Sequence, residues 1–153
     1  MTDEKTEKAD KVQHLQMVEN VIQRMAANSF QLKGWSLTVA SIIAALVSNN
    51  APGGVMFITL IPVVAFWFLD SYYLQLERKY RCLYDKVRNG LITDYDMDID
   101  KIKSEEDKEC KEDKLCYLNC LFSKTEKAFY FSVGAAMLVL SIALVVYNCV
   151  QCH

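Results

Sequence analysis

The residues in this chain best placed to do chemistry are charges that stand against long uncharged stretches. Asp70 directly follows Phe66-Trp67-Phe68-Leu69, at the end of a 36-residue run (34–69) without Asp, Glu, Lys, Arg or His, and Lys33 directly precedes that run. Ionisable side chains at the edge of hydrocarbon are expensive and tend to face a bundle interior or a polar cavity. The run folds naturally about a centre between Ala51 and Pro52, and Lys33 and Asp70 each lie 18 residues from Ala51 and Pro52 respectively. In an antiparallel hairpin they therefore sit at equal depth. Arg24 with Glu77 and Glu19 with Arg81 fall within two or three residues of the same symmetry, so the spacing points to a ladder of three opposed charge pairs, the outer two reading equally as ordinary solvated charges near the interface. Asp70, Glu77 and Arg81 share a helix face, whereas Glu19, Arg24 and Lys33 require a bend to do so.

Other chemistry is poorly supported. The run Asp94-Tyr-Asp-Met-Asp-Ile-Asp100, with Glu105 beyond it, has the carboxylate spacing of a calcium loop. It has Ile99 where such a loop needs glycine, so it reads as a solvated acidic linker. Cys116 and Cys120 stand four apart on one helix face, but no second pair of ligands has zinc spacing, and the one histidine in the segments assigned to the cytoplasm is His14. Cys82, Cys110, Cys116 and Cys120 fall in a segment assigned to the cytoplasm, where thiols stay reduced. The terminal Cys149-Val-Gln-Cys152-His153 matches a c-type haem attachment pattern, yet nothing follows it to wrap the ring, and a tail disulfide or no bond is favoured. No nucleophile elbow, phosphate-cradling glycine loop or HExxH motif occurs, so no enzyme, cofactor or metal is expected.

The elements that must position these charges are set by their segregation. The chain has 153 residues, 52% of them hydrophobic, and a formal net charge of −2. Residues 128–150 form a second charge-free block, and everything charged lies outside the two blocks. A soluble four-helix bundle would solvate an outer face of every helix, so two such blocks argue for membrane spans instead. The 23 residues of 128–150 cover the hydrocarbon thickness of about 30 Å once. The 36-residue block is too long for one span and holds Ser48-Asn-Asn-Ala-Pro-Gly-Gly54, a cluster of turn formers, so it reads as a hairpin with two short arms. Of the 17 Lys and Arg, five lie in 1–34 and twelve in 71–127, which places both segments inside and the Pro-Gly-Gly turn and C-terminus outside. The apolar stretch starts too late for a signal peptide, so the chain reads as mature. Both signs of charge are mixed, which leaves no basic patch for nucleic acid.

The expected fold is thus all-α and integral to the membrane: a helical hairpin with long cytoplasmic helix extensions plus a third, C-terminal transmembrane helix. Residues 1–32 form a cytoplasmic tail, disordered to about residue 10, and an amphipathic helix from near Asp10. Residues 33–75 form the hairpin, 76–127 a cytoplasmic helical and acidic segment, and 128–150 the last span. The first helix is expected to run almost directly into its span, and the second arm to continue as helix from Val55 to about Arg88, stopped by Asn89-Gly90. A further helix is expected from about Lys114, leading to the third span after Ser123-Lys124-Thr125-Glu126.

The stretches from Arg24 to Trp35 (RMAANSFQLKGW) and from Phe66 to Asp85 (FWFLDSYYLQLERKYRCLYD) resemble segments of small bacterial membrane proteins, and the layout is similar to the transmembrane effectors of antiphage systems, of SLATT-like or two-span type, that accompany nucleotide-signal synthases or TIR proteins. The third span and the lack of an appended sensor domain depart from many of them. The resemblance implies a homo-oligomer in the bacterial inner membrane that permeabilises or depolarises it on a cytoplasmic signal, a cyclic nucleotide or other nucleotide-derived molecule or a signalling protein, so that the infected cell stops growing. On that reading Arg24, Asn28, Lys33 and Arg81 are anion-facing donors, Asp70 and Glu77 hold the closed state, and Trp35, Tyr73, Arg78 and Asp85 complete the ligand-binding or gating set. The alternative is a non-conducting anchor or scaffold that recruits a cytoplasmic protein.

Overall fold

A computed structural model describes residues 2–48, 58, 60–91, 96–99 and 115–151. No strand occurs among them. Among the described residues four helices follow one another: α1 Thr2–Ser48, α2 Leu60–Arg88, α3 Tyr117–Leu121 and α4 Lys124–Gln151. The turn cluster of 49–54, Asp94, Asp100, Glu105, Cys110 and Cys152 lie outside the described residues. The uninterrupted α1 joins the expected amphipathic helix to the first apolar arm, because Ala26-Ala27-Asn28-Ser29 offers no glycine or proline to stop it. The expectation of a disordered start is corrected. Residues 2–9 are already helical, since Glu4, Lys5, Glu7 and Lys8 are good helix formers that lengthen an existing helix at little cost.

The chain forms two compact units, Met1–Ser29 with Tyr72–Cys120 and Phe30–Ser71 with Leu121–His153. In the first, Val18, Leu83 and Val87 form a buried core flanked by Leu15, Ile22, Tyr80 and Tyr84, at helical spacing on both α1 and α2. Met97 and Ile99 pack on this same core. The acidic linker is therefore not wholly solvated: its alternation points the two apolar side chains inward while Asp98 stays exposed. Helix α2 ends in a Schellman motif, with Gly90 at φ 74°, Gly90 N donating to Val87 O at 3.1 Å and Leu91 N to Lys86 O at 3.0 Å. Lys11 Nζ donates to Arg88 O at 3.1 Å, capping a carbonyl that the helix leaves unpaired. Gln75 Nε2 donates to Leu115 O at 2.8 Å. Cys82 is buried and disulfide-bonded, whereas Cys116, exposed, and Cys120, buried, are not in a disulfide. The expectation that all these thiols stay reduced is thereby corrected at Cys82, where proximity in the fold, invisible in the spacing, decides.

The second unit is built from three helices. Ala40 of α1, Val63 of α2 and Tyr130 and Val133 of α4 are its buried core, packed by Phe66, Trp67, Phe129 and Met137. Trp67 stacks on Tyr130 at 6.2 Å between ring centroids, meets Phe122 and Phe131 edge-on at 6.0 Å, and donates its indole N–H to Leu121 O at 3.1 Å. That last bond satisfies a terminal carbonyl of α3, which stops at Leu121 instead of continuing into the last helix. The outside of the unit is apolar: Trp35, Leu37, Ile42, Ile61, Phe68, Val139 and Ile142 are all exposed. The inside holds the polar residues Ser36, Asp70, Ser71, Glu126 and Ser141, all buried. Ser71 and Ser141 satisfy their hydroxyls on the carbonyls four residues back, both at 2.7 Å. Helix Lys124–Tyr147 is long and apolar enough to cross a membrane, and only 18% of its apolar window is buried. The core helix of a soluble domain would be mostly buried.

Candidate functional site: a buried charge layer and an open cleft

At one end of the apolar core of the second unit, three helices each contribute a charge. Lys33 Nζ of α1 pairs with Asp70 Oδ2 of α2, and reaches Glu126 Oε1 of α4 at 3.0 Å. The Tyr130 hydroxyl, one turn along α4 from Glu126, donates to the same Asp70 Oδ2 at 3.1 Å. Asp70 is 0% and Glu126 2% exposed, while the Lys33 side chain retains 17%. Helix geometry explains the convergence. Lys33, Ser36 and Ala40 follow one stripe of α1, Val63, Phe66 and Asp70 one stripe of α2, and Glu126, Tyr130, Val133 and Met137 one stripe of α4. The charges lie at one end of these stripes, and beyond them the stripes are apolar apart from Ser36 on α1 and Ser141 on α4.

Glu126 is the member of this charge layer that the sequence reading missed. Ser123-Lys-Thr-Glu126 has the pattern of a capping box, in which Glu126 would turn back to the helix start. Half of that box forms: Glu126 N donates to Ser123 Oγ at 3.4 Å. The carboxylate is instead drawn to Lys33. The signal that could have found it is positional, since Glu126 lies two residues before the uncharged block 128–150, much as Lys33 and Asp70 border the other block.

The first rung of the predicted ladder forms and the outer two do not. Arg81 pairs with Glu77 at 2.7 Å one turn back on its own helix, and Glu19 accepts from Gln23 at 3.4 Å. Arg24 is exposed and makes no ion pair among the described residues. Local i,i+4 partners are always within reach, whereas a cross-helix pair between long exposed side chains gains little.

The expected binding set is divided between the units. Lys33, Trp35 and Asp70 belong to the second, and Trp35 is exposed there, outside the charge layer. Arg24, Asn28, Tyr73, Glu77, Arg78, Arg81 and Asp85 belong to the first. Arg78, Arg81 and Asp85 line an open cleft of about 840 Å³ together with Glu19, Ile22, Gln23, Cys82, Tyr84 and Leu115. Asp85 also pairs with Arg88 at 3.3 Å. Tyr73 stands edge-on to Tyr72 at 6.1 Å, and neither it nor Arg24, Asn28 or Glu77 lines the cleft. No group of three or more potential metal ligands occurs among the described residues. Comparison with protein families, with curated proteins and with solved structures finds no match to this chain.

Proposed function

We propose that this chain is a three-span protein of the bacterial inner membrane that acts as an oligomeric effector: on a cytoplasmic signal it permeabilises or depolarises the membrane, in antiphage defence. The observation that carries the reading is the charge layer of Lys33, Asp70 and Glu126, buried inside a helical unit whose outer surface is apolar. A soluble protein places these the other way round, and intramembrane charges are retained for function because they are costly. Such a layer is a natural two-state element, paired and dry when closed, separated and hydrated when open. The cleft offers Arg78, Arg81 and Gln23 as donors for the anionic part of a signal such as a nucleotide derivative and Glu19 and Asp85 as acceptors for its hydroxyl or amino groups, with Ile22, Tyr84 and Leu115 as apolar walls. The likeness of its layout to that of antiphage effectors is in keeping with this reading.

A potential-sensitive dye in cells induced to express the protein tests this reading. Depolarisation in proportion to membrane-inserted protein is expected. Full potential at high expression, with growth unaffected under phage challenge, would favour the anchor that recruits a cytoplasmic partner.

Orientation has its own test. The distribution of Lys and Arg puts the N-terminus and the first unit inside. The Cys82 disulfide favours the opposite orientation, because cystines persist in oxidising compartments. In intact spheroplasts an impermeant maleimide is expected to label Cys152 after mild reduction and to leave the exposed thiol of Cys116 unlabelled. Labelling of Cys116 and not Cys152 would invert the topology.

A further inference from the structure

The charge layer contains an imbalance that leads beyond the effector reading. Three helices face it, and among the described residues the titratable groups hydrogen-bonded there are Lys33 from α1, Asp70 from α2, and Glu126 and Tyr130 from α4. One ammonium is set against two carboxylates that are both almost wholly excluded from solvent. Lys33 can offset one negative charge, and a second ionised carboxylate in such surroundings requires its own counter-charge. The N-terminal end of α4 favours negative charge at Glu126, but a helix end supplies only a partial charge.

The hydrogen bonding is lopsided in the same place. Lys33 and Tyr130 both donate to one oxygen, Asp70 Oδ2, and Lys33 also donates to Glu126 Oε1. Glu126 Oε2 is buried and has no hydrogen-bond partner. A second buried oxygen without a partner, Ser36 Oγ, lies one turn from Lys33 on α1. A buried acceptor normally finds a donor or a cation, so an unpartnered carboxylate oxygen in a layer that is one positive charge short is informative.

We propose that this layer binds one exchangeable monovalent cation on the unpartnered oxygen of Glu126, a proton or a sodium ion. Bound, it makes the layer neutral and holds α1, α2 and α4 together; released, it leaves a net negative charge that favours separation and hydration of the three helices. The proposal depends on the geometry of the layer alone and stands even if the protein proves to be a passive anchor.

The test uses the full chain in lipid nanodiscs. Sodium is varied at fixed pH with choline as replacement, and pH is varied at fixed sodium, while thermal unfolding and the infrared C=O stretch of un-ionised carboxyl are recorded. If the cation is a proton, wild type shows an un-ionised carboxyl band at neutral pH, and its folded-to-unfolded ratio falls about tenfold per unit of rising pH across the binding range. If it is sodium, that band is missing and the ratio rises about tenfold per decade of sodium, not of choline. Glu126→Gln keeps the side chain's shape, removes the charge and should abolish whichever dependence wild type shows. Asp70→Asn removes the same net charge from the other side of Lys33 and should also abolish it, which keeps the test open if one variant fails to fold. Wild type with no un-ionised carboxyl and no dependence on sodium, or a dependence unchanged in both variants, would overturn the proposal.

Discussion

Lys33→Ala is expected to be the most damaging single substitution in the second unit, lowering stability by about 3–5 kcal/mol, because it strips the cation from two buried carboxylates at once. A surface lysine would cost about 0–1 kcal/mol when its pair is removed. The size of the effect follows from burial, since Asp70 and Glu126 are 0% and 2% exposed and cannot turn to water without opening the unit. Thermal unfolding in mild detergent measures it. Lys33→Ala combined with Asp70→Asn and Glu126→Gln should recover most of the loss, because the three residues form one network and their separate effects do not add. A Lys33→Ala protein as stable as wild type would mean that the layer is hydrated and the pairs are worth little.

The second large effect is expected at Asp70. Asp70→Ala leaves Lys33 paired with Glu126, so the layer keeps one complete ion pair and α1 stays tied to α4. What is lost is the tie from α2 to both neighbours, together with the acceptor of the Tyr130 hydroxyl bond at 3.1 Å. The hydroxyl is left with only the longer bond to Phe66 O at 3.4 Å, and a poorly satisfied buried polar group costs about 1–3 kcal/mol. Biased against the closed state, that amount corresponds to about a 5- to 150-fold rise in the open population. Asp70→Ala should therefore be milder than Lys33→Ala in stability but stronger in phenotype, with constitutive toxicity and depolarisation on expression. Membrane level, resting potential and growth of cells carrying the two variants separate these outcomes. If Asp70→Ala inserts normally and matches wild type in all three, Asp70 only anchors the helix and does not set its state.

How much of this was legible in the sequence depends on the range of each interaction. Helix α2 ending at Arg88 was readable because Asn89-Gly90 carries its own signal and Gly90 takes the left-handed conformation that the stop needs. The uninterrupted run of α1 as far as Lys33 could be read from the lack of any glycine or proline between Asp10 and Gly34. The Lys33 and Asp70 pair was predicted by symmetry about the turn, a constraint that holds only where both arms are tightly packed. It failed for Glu19 and Arg24 because the exposed Arg81 had Glu77 within reach on its own helix. Glu126 was hidden because nothing in a single sequence fixes which face of a third helix meets a hairpin, and a helix-capping pattern accounted for it locally. Met97 and Ile99 were assigned to a linker on the charge of their neighbours, although their alternation with aspartates already offered an apolar side to pack. Cys82 shows the same limit, since a disulfide depends on which chain segments meet and not on cysteine spacing alone.

Ion conductance across planar bilayers containing the purified protein tests the central claim most directly, with wild type, Asp70→Ala and Lys33→Ala compared at equal protein density. The account predicts discrete conductance, rare in wild type and frequent in Asp70→Ala, carried by oligomers and not by monomers. Bilayers that stay as tight as protein-free controls with all three proteins inserted would contradict it, and would leave the charge layer as the fastening of a passive membrane anchor.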